Sequence, residues 1–153
     1  MTTSPERSSS TDWTWVSHLL RPRGEPEAGS EGGPRLGLIL LNTSLGEGRL
    51  RDLWARAGTR ICADGAANRL VGSDLTPDAL VGDFDSVTPE TLEAFRRRGV
   101  QIRDLSHDQD STDLEKSLVL AREVGCERVL VAGEFAGVQG RLDHTFGIAN
   151  ALF

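Results

Sequence analysis

The sequence predicts an α/β domain, a three-layer sandwich around a mostly parallel, Rossmann-like sheet. Three observations carry that expectation. Short apolar runs recur at Leu36–Leu41, Thr59–Ala63, Ala79–Val81 and Arg128–Ala132, the pattern of strands covered on both faces. Amphipathic segments with capping signals alternate with these runs. Acidic or small residues follow the strands, as Asp64-Gly65-Ala66-Ala67-Asn68 and Gly82-Asp83-Phe84-Asp85-Ser86 do.

Taken in order, residues 1–34 are rich in Ser, Thr, Pro, Gly, Glu and Arg and are expected to form a disordered extension. Trp13 and Trp15 interrupt it with an apolar patch, which reads either as a docking segment or as part of a loose tail. Residues 35–153 form the α/β domain. Its first strand is Leu36–Leu41, and Asn42-Thr43-Ser44 supply polar turn groups. Arg49–Ala57 reads as a helix, with Leu50, Leu53, Trp54 and Ala57 at helical spacing and Gly58 ending it. Thr59–Ala63 is the second strand. The small residues after Asp64 permit close approach of a ligand or another backbone, although Asp64 can equally be an ordinary helix cap.

Asp78–Val81 is the third strand. Thr88 as N-cap, Pro89 in the first turn, early acids, late arginines and Gly99 mark out the next helix. Arg96-Arg97-Arg98 reads as a complement to the helix dipole, not as a nucleic-acid patch. Val100–Leu105 is the fourth strand. The helix Thr112–Val124 opens with the capping box Thr112-Asp113-Leu114-Glu115 and buries Leu114, Leu118 and Ala121. Arg128–Ala132 is the fifth strand. A glycine-rich loop, Gly133–Gly140, then leads to a last apolar helix that begins near Arg141.

The 153 residues suit one domain, and a net charge of −6 argues against general binding to nucleic acid or anionic membranes. Cys62 and Cys126 form no CxxC pair, and His18, His107 and His144 are scattered. No zinc site is indicated, and reduced structural cysteines are the default reading. No stretch is long and apolar enough to span a bilayer, and the N-terminus lacks the apolar core of a secretory signal. Cytosol is the expected location.

Chemistry concentrates at Asp83 and Asp85. Two carboxylates leave a strand end with one residue between them, and neighbouring carboxylates repel. A solvated turn is one reading. The other is a Mg²⁺ site, since hard cations take oxygen ligands. The later stretch Asp108–Lys116 gathers carboxylates, hydroxyls, a lysine and free backbone N–H groups at a helix start. That mixture suits a Mg²⁺-bound polyphosphate, while capping plus one helical ion pair accounts for most of the same residues.

Four motifs in order, Asp64-Gly-Ala-Ala-Asn68, Gly82-Asp-Phe-Asp-Ser86, Asp108-Gln-Asp-Ser-Thr-Asp-Leu-Glu-Lys116 and Gly140-Arg-Leu-Asp-His144, resemble the N-terminal domain of the thiamine pyrophosphokinase (thiamine diphosphokinase) family. The match runs from about Leu36 to Phe153, and no GxGxxG supports a dinucleotide binder. The resemblance implies transfer of a pyrophosphoryl group from ATP to thiamine, giving thiamine diphosphate and AMP, in a Mg²⁺-dependent homodimer with sites at the subunit interface. By position it implies that Asp83, Asp85 and Asp113 bind Mg²⁺ and phosphates. Gln109, Ser111, Thr112 and Lys116 would place nucleotide or thiamine, and Asp64, Asn68, Arg141 and Asp143 would line the same crevice.

Two departures from the family pattern are expected to matter. The family's C-terminal β-rich domain is missing from this chain, and Val138-Gln139-Gly140 looks like an insertion ahead of Arg141. Both predict a chain that is weak or inactive alone. Two further readings stand beside this one. In a haloacid-dehalogenase-like phosphotransferase Asp83 would be the nucleophile, but Lys116, the only lysine, lies on the helix of the second acidic motif. A truncated, non-catalytic nucleotide-binding subunit would keep the same fold.

Overall fold

A computed structural model describes residues 35–42, 45–108 and 110–133. Strands β1 (Leu36–Leu40), β2 (Thr59–Ala63), β3 (Ala79–Gly82), β4 (Gln101–Asp104) and β5 (Arg128–Ala132) form one sheet in the order β4-β3-β2-β1-β5. Every pairing is parallel. The strands fall where the apolar runs predicted them, with ends moved by a residue at most. The N-terminal extension with Trp13 and Trp15, Thr43-Ser44, the Val138-Gln139-Gly140 segment and the last predicted helix lie outside the described residues.

Alternation along the strands divides the core in two. Leu38, Leu40, Cys62 and Leu80 point to one face, where they meet Trp54, Leu70 and Phe95 of three helices. Those helices are α1 (Glu47–Arg56), α2 (Ala67–Leu70) and α3 (Pro89–Arg97). Ile39, Ile61, Ala79 and Val81 point to the other face and pack on Leu114, Leu120 and Ala121 of α4 (Asp113–Glu123). The result is three layers with a sheet covered on both faces, as continuous apolar strands require.

Helix ends follow the capping chemistry closely. The Thr88 hydroxyl accepts the Thr91 N–H, Pro89 opens α3, and Gly99 takes φ +78° just past its last turn. In α4 the Thr112 hydroxyl accepts the Glu115 N–H while the Glu115 carboxylate accepts the Thr112 N–H. The end of α1 differs from expectation. The chain leaves the helix at Ala57, which is extended, and Gly58 has no left-handed φ. Instead the Gly58 N–H donates to the Leu36 carbonyl at 2.9 Å, so the chain passes straight from helix into sheet.

The buried stripe of α4 is also wider than expected. Lys116, Ser117 and Leu120 are buried besides Leu114 and Ala121, whereas Leu118 is only partly covered. The helix lies over β1, β2 and β3, because it must cross from the β4 edge to place β5 on the far side of β1. Such a crossover buries positions that a surface helix would leave polar.

Among the described residues Phe95 is the largest fully buried side chain, at 0 % exposure. Phe95→Ala is expected to lower unfolding stability by about 3–5 kcal/mol, measured by urea denaturation followed through tryptophan fluorescence.

Candidate active site

Parallel pairing brings the carboxyl ends of β2 and β3 side by side. Ala63 stands opposite Val81, so the next residues, Asp64 and Gly82, emerge together. Gly82 has no Cβ for a steric reason: one built there would lie 3.0 Å from the Asp64 Cβ and 3.2 Å from its Cα. Gly65 is equally crowded, since a Cβ there would fall 2.5 Å from Asn42 Nδ2 and 3.1 Å from Ser86 Cβ. The small residues of both motifs thus let three strand ends close on one another.

Within this crevice Asp64, Asp83 and Asp85 each place a carboxylate oxygen within 4.8 Å of the others. Asp64 is buried, Asp83 is half-buried and Asp85 is exposed. Two of the backbone positions involved are uncommon for residues with side chains: Asp64 has φ +38° and Phe84 has φ +61°. The buried Asp64 Oδ1 has no hydrogen-bond partner among the described residues. A buried carboxylate oxygen without a donor is costly unless something positive meets it.

Asp113 opens α4 and faces the same crevice. Its pKa is pushed up to about 6, first by burial, then by the negative charges of Asp64 and Asp83 and to a smaller degree Asp85, with Lys116 opposing. Lys116 is 5 % exposed and sits near enough to favour the ionised forms of Asp113 and Asp108. Asp108 is held below the usual carboxylate range, chiefly by the Ser111 side chain, and also accepts the N–H groups of Ser111 and Asp110.

The residues singled out in the sequence divide accordingly. Asp64, Asp83, Asp85, Asp113 and Lys116 converge. The Thr112 hydroxyl caps α4 and Ser111 secures Asp108, so both shape the loop before the helix. The Asn68 amide donates to the Ser86 carbonyl at 2.7 Å. Gln109, Arg141 and Asp143 lie outside the described residues. From the sequence, Asp64 is expected either among the crevice-lining groups or as a helix cap. The structure shows no side-chain cap there and sets Asp64 beside Asp83 and Asp85. The signal that points to it is its position directly after the strand neighbouring β3.

The sequence alone marks Asn42 only as a polar turn residue. Its side-chain oxygen accepts from Arg69 Nε at 3.1 Å, while its amide nitrogen crowds Gly65. Beyond Arg69 lies an open cavity of about 520 Å³ with Leu40, Leu45, Leu50, Leu70 and Leu75 in its walls. Asn42 therefore links that cavity wall to the acidic crevice.

Fold and site together define a parallel α/β domain whose strand ends gather carboxylates next to a helix N-terminus. A family model described as thiamin pyrophosphokinase, catalytic domain, matches residues 50–153, and the chain belongs to that family. Thiamine pyrophosphokinase 3 of Oryza sativa subsp. japonica is 38 % identical over 138 residues, covering 78 % of this chain and 51 % of the relative. Thiamine pyrophosphokinase 1 of Arabidopsis thaliana is 33 % identical over 159 residues, covering 90 % and 56 %. The solved thiamin pyrophosphokinase from Candida albicans shares the fold, with a TM-score of 0.64 at 22 % identity over 77 % of this chain and 52 % of that one. The chain spans about half the length of the curated relatives it matches.

Two measurements check this geometry. Carboxyl ¹³C NMR of the metal-free chain should show Asp113 titrating near pH 6, and Asp83→Asn should move that titration toward lower pH by removing one repelling charge. The proton is held more tightly in the folded than in the unfolded chain. Asp113 therefore favours folding most below its unfolded pKa, and that contribution is lost as pH rises toward 6. Gly82→Ala should destabilise the fold by about 1–3 kcal/mol, because the backbone of Asp64 has to move to admit the methyl group; an unchanged unfolding midpoint would contradict the crowding.

Proposed function

We propose that this chain carries the nucleotide- and metal-handling half of a thiamine diphosphokinase. The reaction forms a bond between the hydroxyethyl oxygen of thiamine and the β-phosphorus of ATP. The bond from that phosphorus to the oxygen bridging the α-phosphorus breaks, AMP departs with that oxygen, and the hydroxyl proton passes to a base. Family membership supports the reading, and one observation carries its chemistry: a buried, unpartnered carboxylate oxygen of Asp64 stands in a group of three convergent aspartates.

This donor set fits Mg²⁺, an ion that prefers carboxylate oxygens. Asp64, Asp83 and Asp85 would hold it, with Asp113 beside them. A bound Mg²⁺ would supply positive charge to the phosphate oxygens as negative charge builds there. Lys116, with its charge on the same side of the crevice, orients the polyphosphate. The N-terminal end of α4 adds its partial positive charge. Asn42 and Arg69 connect the crevice to the neighbouring cavity, whose leucines, together with Glu47, Arg51 and Asp74, offer mixed apolar and charged walls for the organic part of a substrate. Gln109, Arg141 and Asp143 are assigned to the same crevice by their motif positions.

The assembly and location complete the proposal. Among the described residues no helix is long and apolar enough to cross a membrane. A cytosolic homodimer, with ATP and thiamine as its small-molecule partners, is the form expected for this family.

The test is an endpoint assay of the chain with ATP, thiamine and MgCl₂. The chain should bind ATP in a Mg²⁺-dependent way, any thiamine diphosphate it forms should be matched by an equal amount of AMP, and Asp83→Asn with Asp85→Asn should reduce binding and product by about a hundredfold or more. A slow rate suffices, since the product pair is diagnostic. ADP in place of AMP, or product untouched by the double substitution, would sink the proposal. Loss of Mg²⁺-dependent ATP binding in the unaltered chain would sink it too.

A further inference from the structure

One hydrogen bond and one close packing contact tie the loop bearing Asp83 and Asp85 to the segment bearing Asp64, and two further hydrogen bonds and the packing of Phe84 brace the loop itself. The Asn68 side-chain amide donates to the Ser86 carbonyl at 2.7 Å. The Ser86 hydroxyl donates to Asp85 Oδ1 at 2.8 Å. The Asp85 N–H donates to Asp83 Oδ1 at 3.3 Å. Ser86 Cβ also sits where any Cβ on Gly65 would meet it, at 3.1 Å. Phe84, at φ +61°, packs its ring against the first core cluster.

These contacts have a direction. Asn68 lies on α2, one turn beyond Asp64, so its bond spans from one carboxylate-bearing segment to the other. Ser86 then fixes one oxygen of Asp85, which restricts the rotamers of an exposed side chain. A left-handed backbone at Phe84 is unfavourable by itself and needs surrounding contacts to hold it. The repulsion among Asp64, Asp83 and Asp85 acts to open the same loop. Without a link across the crevice, strain and charge would both pull Asp85 away from Asp64.

We infer that Asn68 and Ser86 are positioning residues: they hold Asp83 and Asp85 against Asp64 and so preset the cation site, and Asn68 is not a substrate ligand. This rests on the metal reading given above. Its logic is that of outer groups which orient the side chains that touch a metal, whose loss costs affinity and leaves the ligands themselves in place.

The experiment uses Mn²⁺ alone as the probe, with affinity read by water-proton relaxation on the full chain and the unfolding midpoint measured in parallel with EDTA present. Asn68→Ala and Ser86→Ala should each weaken Mn²⁺ binding by about 10–100-fold, with EDTA-state unfolding midpoints close to that of the unaltered chain. Ser86→Thr, which keeps the hydroxyl, should restore most of the affinity. Asp83→Asn, which removes a ligand, should abolish binding. If both alanine variants bind within twofold of the unaltered chain while Asp83→Asn does not bind, the positioning role is refuted and the metal reading stands. If the unaltered chain itself binds no Mn²⁺, the metal reading fails and this inference falls with it. Weakened binding matched by a large drop in the EDTA midpoint would assign Asn68 and Ser86 to general stability and also refute the inference.

Discussion

Like charges held close together dominate the carboxyl edge of this sheet. Asp64, Asp83 and Asp85 approach within 4.8 Å, and Asp113 stands near enough to feel their field. Carboxylate chemistry by itself disfavours such a gathering. The surrounding structure resists it at several levels. Parallel pairing fixes the two strand ends side by side, glycines remove the atoms that would keep them apart, and hydrogen bonds brace the loop between Asp83 and Ser86. The sheet supplies the stiffness, and its two-sided core supplies the stability against which the repulsion is held.

Much of the fold was legible because the local signals agree with each other. Apolar runs of four or five residues gave the strands, and Thr88-Pro89 and Thr112–Glu115 gave the two best-capped helices. Strand order was not legible. No feature of Arg128–Ala132 announces that it pairs with β1 and leaves β4 as an edge, because that choice is settled by the path of α4 over the sheet. Gly58 misled for a related reason. A glycine after a helix suggests a left-handed cap, but here the backbone N–H is taken by the neighbouring strand.

The site shows the same division. Asp83 and Asp85 stand out in the sequence because they are paired, and Asp113 because it opens a capped helix. Asp64 is a single acid after a strand, and its membership of the group depends on β2 and β3 being neighbours. Ser86, Asn68 and Asn42 were harder still. Their side chains matter through single hydrogen bonds to residues far along the chain, and polar residues of that kind look like any turn residue until the fold places them.

Strand β1, which lies between β2 and β5, has a consequence for how the protein is made. β1 pairs with β2, which follows it closely, and with β5, which is the last strand among the described residues. On a ribosome the chain emerges from its N-terminus, so β1 through β4 can assemble while one flank of β1 is still bare. That flank is Leu36–Leu40, a hydrophobic edge of the kind that invites pairing with the wrong chain. Only when Arg128–Ala132 clears the exit tunnel does the sheet close around it. Slow passage through the α4 region would prolong that exposure, making synthesis rate and chaperone access a determinant of yield independent of the stability of the finished fold.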